Sequence, residues 1–323
     1  MRLSDIIGHD HVKDVLIRAV AADKVPHAML FHGPEGVGKR SMALALVSLL
    51  VCRNRVNGDA CGECLPCRQI ADGTYIDLRM VRPEKGIIKI DAVRELLPSL
   101  YFEPLAGAWK CLILDDAHAM TQEAANAALK TLEEPPRQTV FCLITSAPDT
   151  LPRTVLSRCF GLPFGPLRPD TLSAFLMTRL GLSEAAARSL AMRARGRPGL
   201  ALRLAESPAM AERGPFVTEF LALADAGPQR RLAFAEGMAS SKEEALDLVE
   251  ILQSVLSDVL LATTGLPDDA MQNVDFADDI RAFAARIGPR KALDLSATLL
   301  EWDATHRYNP GLRAMVDRLV LGL

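Results

Sequence analysis

A glycine-rich stretch with one lysine is the segment of this sequence best suited to chemistry. Residues 33–40 read Gly-Pro-Glu-Gly-Val-Gly-Lys-Arg and follow the apolar run 28–31. A turn of this kind between a buried strand and a helix presents backbone N–H groups to phosphate oxygens. The predicted phosphate-binding residues are Gly33, Gly36, Gly38 and Lys39. The position after the lysine should carry a hydroxyl for Mg²⁺, but it is Arg40, which argues against efficient hydrolysis.

Two adjacent carboxylates form the second candidate site. Asp115 and Asp116 follow the apolar run 112–114, which predicts a buried strand. An aspartate at such a strand end can coordinate Mg²⁺ beside a bound nucleotide, and a glutamate normally follows it to position water. Asp116 is one methylene shorter than that glutamate. Thr145, at the end of the next predicted strand, could contact a γ-phosphate. Taken alone, the acidic pair could equally be a solvated strand end.

Four cysteines are spaced as metal ligands. They occur in a C-x8-C-x2-C-x2-C array formed by Cys52, Cys61, Cys64 and Cys67. Tetrahedral Zn²⁺ takes four thiolates, and a site filled by protein ligands is closed and structural. Incidental thiols and an iron–sulfur cluster are the less favoured interpretations, since the spacing is not that of ferredoxins.

A single arginine and the remaining histidines and cysteines complete the candidates. Ser157-Arg158-Cys159 lies in a segment able to face a neighbouring subunit, although by itself the motif is weak and a surface arginine is the simpler interpretation. The six histidines show no metal-ligand spacing and are predicted to be structural. The cysteines outside the array are predicted to be core or semi-buried thiols, namely Cys111, Cys142 and Cys159.

Strands alternate with helices in the first half of the chain, which predicts a parallel α/β sheet flanked by helices. The predicted strands are 27–31, 76–81, 87–90, 110–115 and 139–144, and the predicted helices are 11–22, 39–51 and 121–134. After Pro166 only helical periodicity remains, with three helices to about 207 and amphipathic stretches at 216–225, 242–263, 276–287 and 291–304. The predicted domains are 1–165, 166–207 and 208–323.

The bulk composition restricts the possible partners. The 323 residues are 49% hydrophobic with a net charge of −3, so no global basic field attracts nucleic acid. No apolar run reaches the roughly 18 residues that span a bilayer. With no secretory signal in view, we expect a cytoplasmic protein without a membrane partner.

Several motifs in a fixed order resemble bacterial DNA polymerase III clamp-loader subunits of the AAA+ class. They are residues 5–9 (Asp-Ile-Ile-Gly-His), the loop 33–39, the four cysteines, Asp115-Asp116, residues 124–136 (ending Leu-Lys-Thr-Leu-Glu-Glu-Pro-Pro) and Ser157-Arg-Cys159. The resemblance is strong over residues 1 to about 205. It implies an AAA+ module with an inserted zinc knuckle, then a helical lid and an all-helical collar domain. It also implies partners: gamma/tau motor subunits, a delta subunit, and through them the sliding clamp and primed DNA.

Within this family the sequence resembles delta prime subunits more than gamma/tau motors. Motor subunits keep a hydroxyl, a glutamate and a lid arginine where this chain has Arg40, Asp116 and Gly199. Arg158, which in the family reaches a neighbour's ATP, is retained. The resemblance thus implies weak or vestigial ATP binding and an arginine finger supplied in trans. No independent catalysis is expected, and the DNA-directed DNA polymerase (nucleotidyltransferase) activity would belong to the holoenzyme.

Two alternatives remain open from the sequence. An active gamma/tau-like ATPase would require Lys39 and Asp115 to suffice despite Arg40. A stand-alone zinc-dependent nucleic-acid-binding protein would require a basic face, for which the candidates are Arg53, Arg55 and Arg68.

Overall fold

The computed structural model describes residues 1–206, 213–237, 242–264, 271–305 and 312–323. These residues form two compact units. The first comprises Met1–Phe175 with Gly196–Gly199, and the second comprises Leu176–Arg195 with Leu200–Leu323. The predicted boundary at 207–208 and the predicted structural histidine His306 lie outside the described residues, and the separation of lid from collar stays a prediction.

A five-stranded parallel sheet forms the centre of the first unit. Its strands are β1 (Ala28–His32), β2 (Leu78–Val81), β3 (Lys110–Leu114), β4 (Thr139–Thr145) and β5 (Phe160–Pro163). Their order is β2-β3-β4-β1-β5. All residues of β3 and β4 are buried, as expected for central parallel strands covered on both faces.

Helices cover both faces of this sheet, and the fold is AAA+-like. They are α1 (Asp10–Ala21), α2 (Lys39–Val51), α3 (Leu65–Ala71), α4 (Ile90–Leu96), α5 (Gln122–Glu133) and α6 (Arg153–Leu156). Alternate residues of β1 enter opposite cores, because successive strand side chains point to opposite faces. Met29 and Phe31 join the core with α1 and α2, whereas Leu30 joins the core with α5.

Two parts of the first unit differ from the predictions. The predicted strand 87–90 is wrong: Ile88 makes only an isolated bridge to Met120, and Ile90 begins α4. The segment contributes the buried side chain of Ile88 to the core, but it is not part of a hydrogen-bonded pair of strands. Strand β5 was missed because it has only four residues, two of which, Gly161 and Pro163, are of types uncommon in strands.

The second unit is helical wherever it is described. Its helices include the end of α7 (Pro169–Leu180), α8 (Glu184–Arg193), most of α9 (Pro198–Glu206), α10 (Arg213–Ala222), α11 (Pro228–Glu236), α12 (Lys242–Thr264), α13 (Ala277–Thr305) and α14 (Leu312–Leu321). Gly288, with φ of 77°, and Pro289 interrupt α13, which explains the two separate helices predicted there. Among the described residues no helix is both long and apolar enough to cross a membrane.

Candidate functional site

The glycine-rich loop joins β1 to α2 where the sequence predicts it. Gly33 has φ of 142°, and a Cβ on it would lie 1.9 Å from the carbonyl oxygen of Phe164. Gly38 caps α2 in the left-handed conformation, with φ of 104°. Both positions therefore require glycine to bring the loop over the end of β1.

Lys39 begins α2 and lies across the loop. Its Nζ donates hydrogen bonds to the carbonyl oxygens of Gly33 at 2.5 Å and Pro34 at 2.6 Å. Only 7% of the residue is exposed, and burial lowers the pKa of its ammonium group despite the opposing effect of nearby carboxylates. The lysine therefore lies at the loop, and both hydrogen-bond acceptors of its Nζ are carbonyl oxygens of the loop itself.

Asp115, at the end of β3, is paired with two arginines. Its Oδ2 lies 3.4 Å from Nη1 of Arg40 and 3.8 Å from Nε of Arg82. Arg82 directly follows β2, whose Val81 is in register with Leu114 of β3. Arg82 was not predicted as a site residue; the adjacency of β2 and β3 places it beside Asp115.

These residues do not fit the Mg²⁺ ion that the AAA+-like fold implies. Mg²⁺ requires several oxygen ligands in near-octahedral geometry. Here the position after Lys39 supplies the guanidinium of Arg40 in place of a hydroxyl, and the carboxylate of Asp115 is already a counter-ion for two cations. We therefore derive no step through a bound magnesium ion.

Asp116 and Thr145 complete the predicted set at this edge of the sheet. Asp116 has a left-handed backbone, with φ of 53°, and precedes the single turn Ala117–Ala119. Burial and then the neighbouring Asp115 raise the pKa of its carboxyl group. The hydroxyl of Thr145 accepts the N–H of Ala147 at 3.0 Å and lies 3.3 Å from Nδ1 of His118. Its contact with a γ-phosphate stays a prediction.

The start of α9 packs directly on the loop. The N–H of Gly199 donates to the carbonyl oxygen of Gly36 at 2.8 Å. A Cβ on Gly199 would lie 3.1 Å from both Cα and O of Gly36, tighter than ordinary contact. The structure thus gives a packing reason for glycine where motor subunits are expected to carry the lid arginine.

The four predicted metal ligands come together beyond the end of α2. The Sγ atoms of the cluster lie within 4.8 Å of one another, and Cys52, Cys61, Cys64 and Cys67 are its members. The N–H of Cys61 points to Sγ of Cys52 at 3.2 Å, and those of Glu63 and Cys64 point to Sγ of Cys61. Four sulfur donors with N–H groups aimed at them fit a structural Zn²⁺ ion.

The remaining cysteines and several histidines have structural environments. Burial raises the pKa of Cys142 to about 12 and that of Cys159 to about 11. Cys111 is fully buried and its pKa is raised for the same reason. The ring Nε2 of His9 lies 2.9 Å from the carbonyl oxygen of Val37, which ties the segment 5–9 to the loop.

Arg158 lies just beyond α6 and is held in place by two elements. Its Nη1 donates to the carbonyl oxygen of Thr154 at 2.7 Å, and its Nη2 makes an ion pair with Oε1 of Glu133 at the end of α5. The side chain remains 33% exposed. Glu133 was quoted in the sequence motif but not predicted to position this arginine.

A family model described as "DNA polymerase III, delta subunit" matches residues 8–168. That range contains the loop, the cysteine cluster, Asp115 and Arg158. Residues 8–168 are a DNA polymerase III delta-subunit-like domain. This delta-subunit-like domain is homologous to gamma/tau subunits.

Known relatives match about half of the chain. The tau subunit of Escherichia coli (strain K12) is 37% identical over 156 residues, which is 48% of this chain and 24% of that protein. The gamma subunit of Buchnera aphidicola subsp. Acyrthosiphon pisum is 32% identical over 172 residues, or 53% and 47% of the two chains. The chain thus spans less than half the length of these relatives.

A solved structure extends the similarity of fold beyond the delta-subunit-like domain. A DNA polymerase III gamma subunit-related protein from Thermotoga maritima aligns with a TM-score of 0.54 at 19% identity, covering 95% of this chain and 97% of that one. The named relatives are gamma and tau subunits. They favour the gamma/tau-like alternative, and the delta prime prediction is not confirmed.

Proposed function

We propose that this chain is a clamp-loader subunit of the DNA polymerase III type that hydrolyses little ATP itself. The observation that carries this proposal is the pairing of Asp115 with Arg40 and Arg82. Phosphoryl transfer in P-loop sites depends on a metal ion that bridges phosphates and is held by an aspartate and a hydroxyl. A carboxylate that neutralises two guanidinium groups is a poor ligand for that ion.

Arg158 is the residue through which the chain would act on a neighbour. Its guanidinium is already oriented by Glu133 and Thr154, so less side-chain entropy is lost when it meets a phosphate. An arginine supplied in trans stabilises charge in the transition state of phosphoryl transfer and contributes about 10³–10⁵ in rate where it is essential. This role corresponds to that of a delta prime subunit.

The wider assignment follows from the same proposal. The four cysteines would hold one structural Zn²⁺, and any ATP binding at the loop would be weak. The partners would be gamma/tau and delta subunits, with the sliding clamp and primed DNA reached through the assembled complex in the cytoplasm. Polymerase activity would belong to the holoenzyme.

The second candidate function is that of an ATP-hydrolysing, gamma/tau-like motor. The named relatives support it, because they are gamma and tau subunits at 32–38% identity over about half of the chain. The retained loop and Lys39 also agree with it. It would require the ion pairs of Asp115 to open whenever magnesium and nucleotide bind.

A stand-alone nucleic-acid-binding role has less support. It needs a basic face beside the cysteine cluster, yet Arg55 donates from Nε to the carbonyl oxygen of Leu49 at 3.0 Å. Its Nη2 also reaches the carbonyl oxygen of Leu50 at 3.5 Å. This guanidinium therefore serves the last turn of α2, and the net charge of −3 adds no attraction.

The decisive experiment compares variants in the assembled loader. The chain is combined with gamma/tau and delta subunits of its own source, and clamp- and DNA-stimulated ATP turnover is measured. Arg158→Ala should assemble normally but lower turnover at the facing site by about 10³. Arg153→Ala, at an exposed arginine on α6, is the control and should have no effect.

Two results would count against the proposal. If the loader containing Arg158→Ala hydrolysed ATP and loaded clamps at the wild-type rates, Arg158 would not be an arginine finger. The chain would then be only a scaffold. Turnover of about 1–100 s⁻¹ by the isolated chain would instead establish the motor alternative.

A further inference from the structure

Two arginines from different elements meet at one carboxylate beside the phosphate loop. Arg40 comes from the first turn of α2, next to Lys39, and Arg82 comes from the end of β2. Both lie within 4 Å of Oδ2 of Asp115, whose side chain is only 12% exposed. The carboxylate is thus fixed in the fold, while its two cations approach from the solvent side.

Both ion pairs are loose. The side chains of Arg40 and Arg82 are 54% and 58% exposed, and their nitrogens lie 3.4 Å and 3.8 Å from the carboxylate oxygen. Exposed pairs of this geometry contribute little free energy, so the guanidinium groups can exchange this acceptor for another at small cost. A phosphate oxygen is the acceptor that a guanidinium fork matches best.

The charge balance of the site differs from that of a magnesium-dependent one. Three cations surround the loop, namely Lys39, Arg40 and Arg82, and three carboxylates accompany them, namely Glu35, Asp115 and Asp116. A magnesium site needs oxygen ligands and lets the ion neutralise the phosphates. Here the guanidinium groups of Arg40 and Arg82 occupy the surroundings of the carboxylate that would bind the ion.

We infer that this loop binds the phosphates of a nucleoside polyphosphate without a divalent cation, with Arg40 and Arg82 in place of the metal and Asp115 as their competing internal counter-ion. The inference deepens the proposed function and rests on it in one respect, that the loop serves ligand binding and not turnover. Arg82 thereby becomes a ligand-binding residue. Asp115 becomes an inhibitor of binding, the opposite of a metal ligand.

The first test titrates the full-length chain with ADP by calorimetry, once in EDTA and once in excess MgCl₂. A metal-independent site predicts dissociation constants that agree within about twofold, or weaker binding with magnesium, because the Mg²⁺ competes for the diphosphate. Binding that appears only with magnesium would overturn the inference. Absence of ADP binding in both conditions would overturn it equally.

The second test uses the direction in which one substitution changes the affinity for ADP. Asp115→Asn removes the competing carboxylate, so ADP in EDTA should bind up to about fivefold more tightly, the factor equivalent to one exposed ion pair. If Asp115 were instead a metal ligand, Asp115→Asn would weaken ADP binding in magnesium and would not strengthen it in EDTA. The two roles therefore give opposite results on one variant.

Arg82→Ala should weaken ADP binding in EDTA about fivefold, and Arg79→Ala is its matched control. Arg79 is an exposed arginine three residues earlier, on β2 itself, and its register partner is Leu112, not the carboxylate. Equal losses in both variants would show only a general charge effect and would defeat the assignment of Arg82. These measurements need no partner subunit, so their failure is separate from failure of the Arg158 test.

Discussion

The cysteine cluster and the phosphate loop lie at opposite ends of one helix and differ in how they treat a metal ion. Beyond the end of α2, all four sulfur donors converge and nearby N–H groups point at them. At its start, Lys39 and the glycines are kept while the metal ligands are replaced by guanidinium groups. The two ends of α2 thus differ in their ligand sets: the four thiols fit a metal ion, and the residues at the loop do not.

The glycine-rich loop would have a role in the fold even in a chain that did not hydrolyse ATP. Its glycines and lysine make contacts within the protein: Lys39 bridges two loop carbonyls, and Gly36 accepts the N–H of Gly199. The loop therefore has a structural role that is independent of nucleotide. The cysteine cluster has a different arrangement: four thiols converge with N–H groups aimed at them, which fits a structural Zn²⁺ ion.

The largest effect is expected at the cysteine cluster. Cys64→Ser replaces the residue that caps α3, and we expect zinc content to fall well below one equivalent. Loss of a structural metal should destabilise the first unit by about 3 kcal/mol or more, which lowers its melting temperature by roughly 6–12 °C. Elemental analysis and calorimetry measure both quantities. Cys159→Ser lies outside the cluster and should retain full zinc.

Wild-type protein that is purified under reducing conditions and contains much less than one zinc ion per chain would contradict this contrast between the two ends of α2. The cluster would then be a set of unliganded thiols. In that case both ends of α2 would be degenerate sites.

A second large effect is expected from Gly33→Ala. The added Cβ would lie 1.9 Å from the carbonyl oxygen of Phe164, and the backbone there has φ of 142°. We expect a loss of about 3 kcal/mol or more in the free energy of unfolding, measured by urea denaturation. Gly38→Ala meets no atom within 4 Å and should cost only about 1 kcal/mol for its left-handed backbone. Equal small losses would mean that the loop is not part of the packed structure.

The sequence predicts the elements with strong local patterns and misses those without one. Helix α2 and strands β3 and β4 are found almost to the residue, because continuous apolar runs mark buried elements. Strand β5 was not predicted because it is short and contains Gly161 and Pro163. The segment 87–90 was wrongly predicted to be a strand because it contains three isoleucines, of which only Ile88 is buried.

The candidate residues show the same division. The cysteines are predicted because their spacing is local, and the structure brings them together. Arg82 and Glu133 could not be predicted as site residues, because their partners are distant in sequence and meet them only through strand order and helix packing. Sequence spacing identifies ligands on one segment; partners from different segments require the topology.

A smaller effect is expected from Arg40→Thr, which returns a hydroxyl to the position after Lys39. Stability should change by less than about 1 kcal/mol, because the ion pair with Asp115 is more than half exposed on the arginine side. ATP turnover by the isolated chain should stay far below about 1 s⁻¹, since Arg82, Asp116 and Gly199 are unchanged. A phosphate-release assay measures the rate. Efficient ATP turnover by this variant would show that Arg40 alone prevents hydrolysis at the loop.

The smallest effect concerns Asp116, whose pKa is raised by burial and by Asp115. Above its raised pKa the carboxylate is charged in both folded and unfolded chains, and its charge costs more in the folded one. Asp116→Asn removes that cost and keeps a side chain that tolerates the left-handed backbone, so it should stabilise the protein by less than about 1 kcal/mol, since water screens the partly exposed group.

The pH dependence of this stabilisation shows whether the pKa of Asp116 is raised or lowered in the folded protein. As the pH falls through the raised pKa towards the ordinary value of 3.8, the folded wild-type carboxyl group protonates first and loses its penalty. The advantage of Asp116→Asn should therefore shrink over this window and vanish below it, as measured by urea denaturation at several pH values. Asp149→Asn, at an exposed turn outside the site, is the control for the loss of one negative charge. An advantage for Asp116→Asn that grows as the pH falls would mean that Asp116 is stabilised as an anion. Asp116 would then be held by the surrounding cations, and the loop would be closer to an ion-binding site than its contacts indicate.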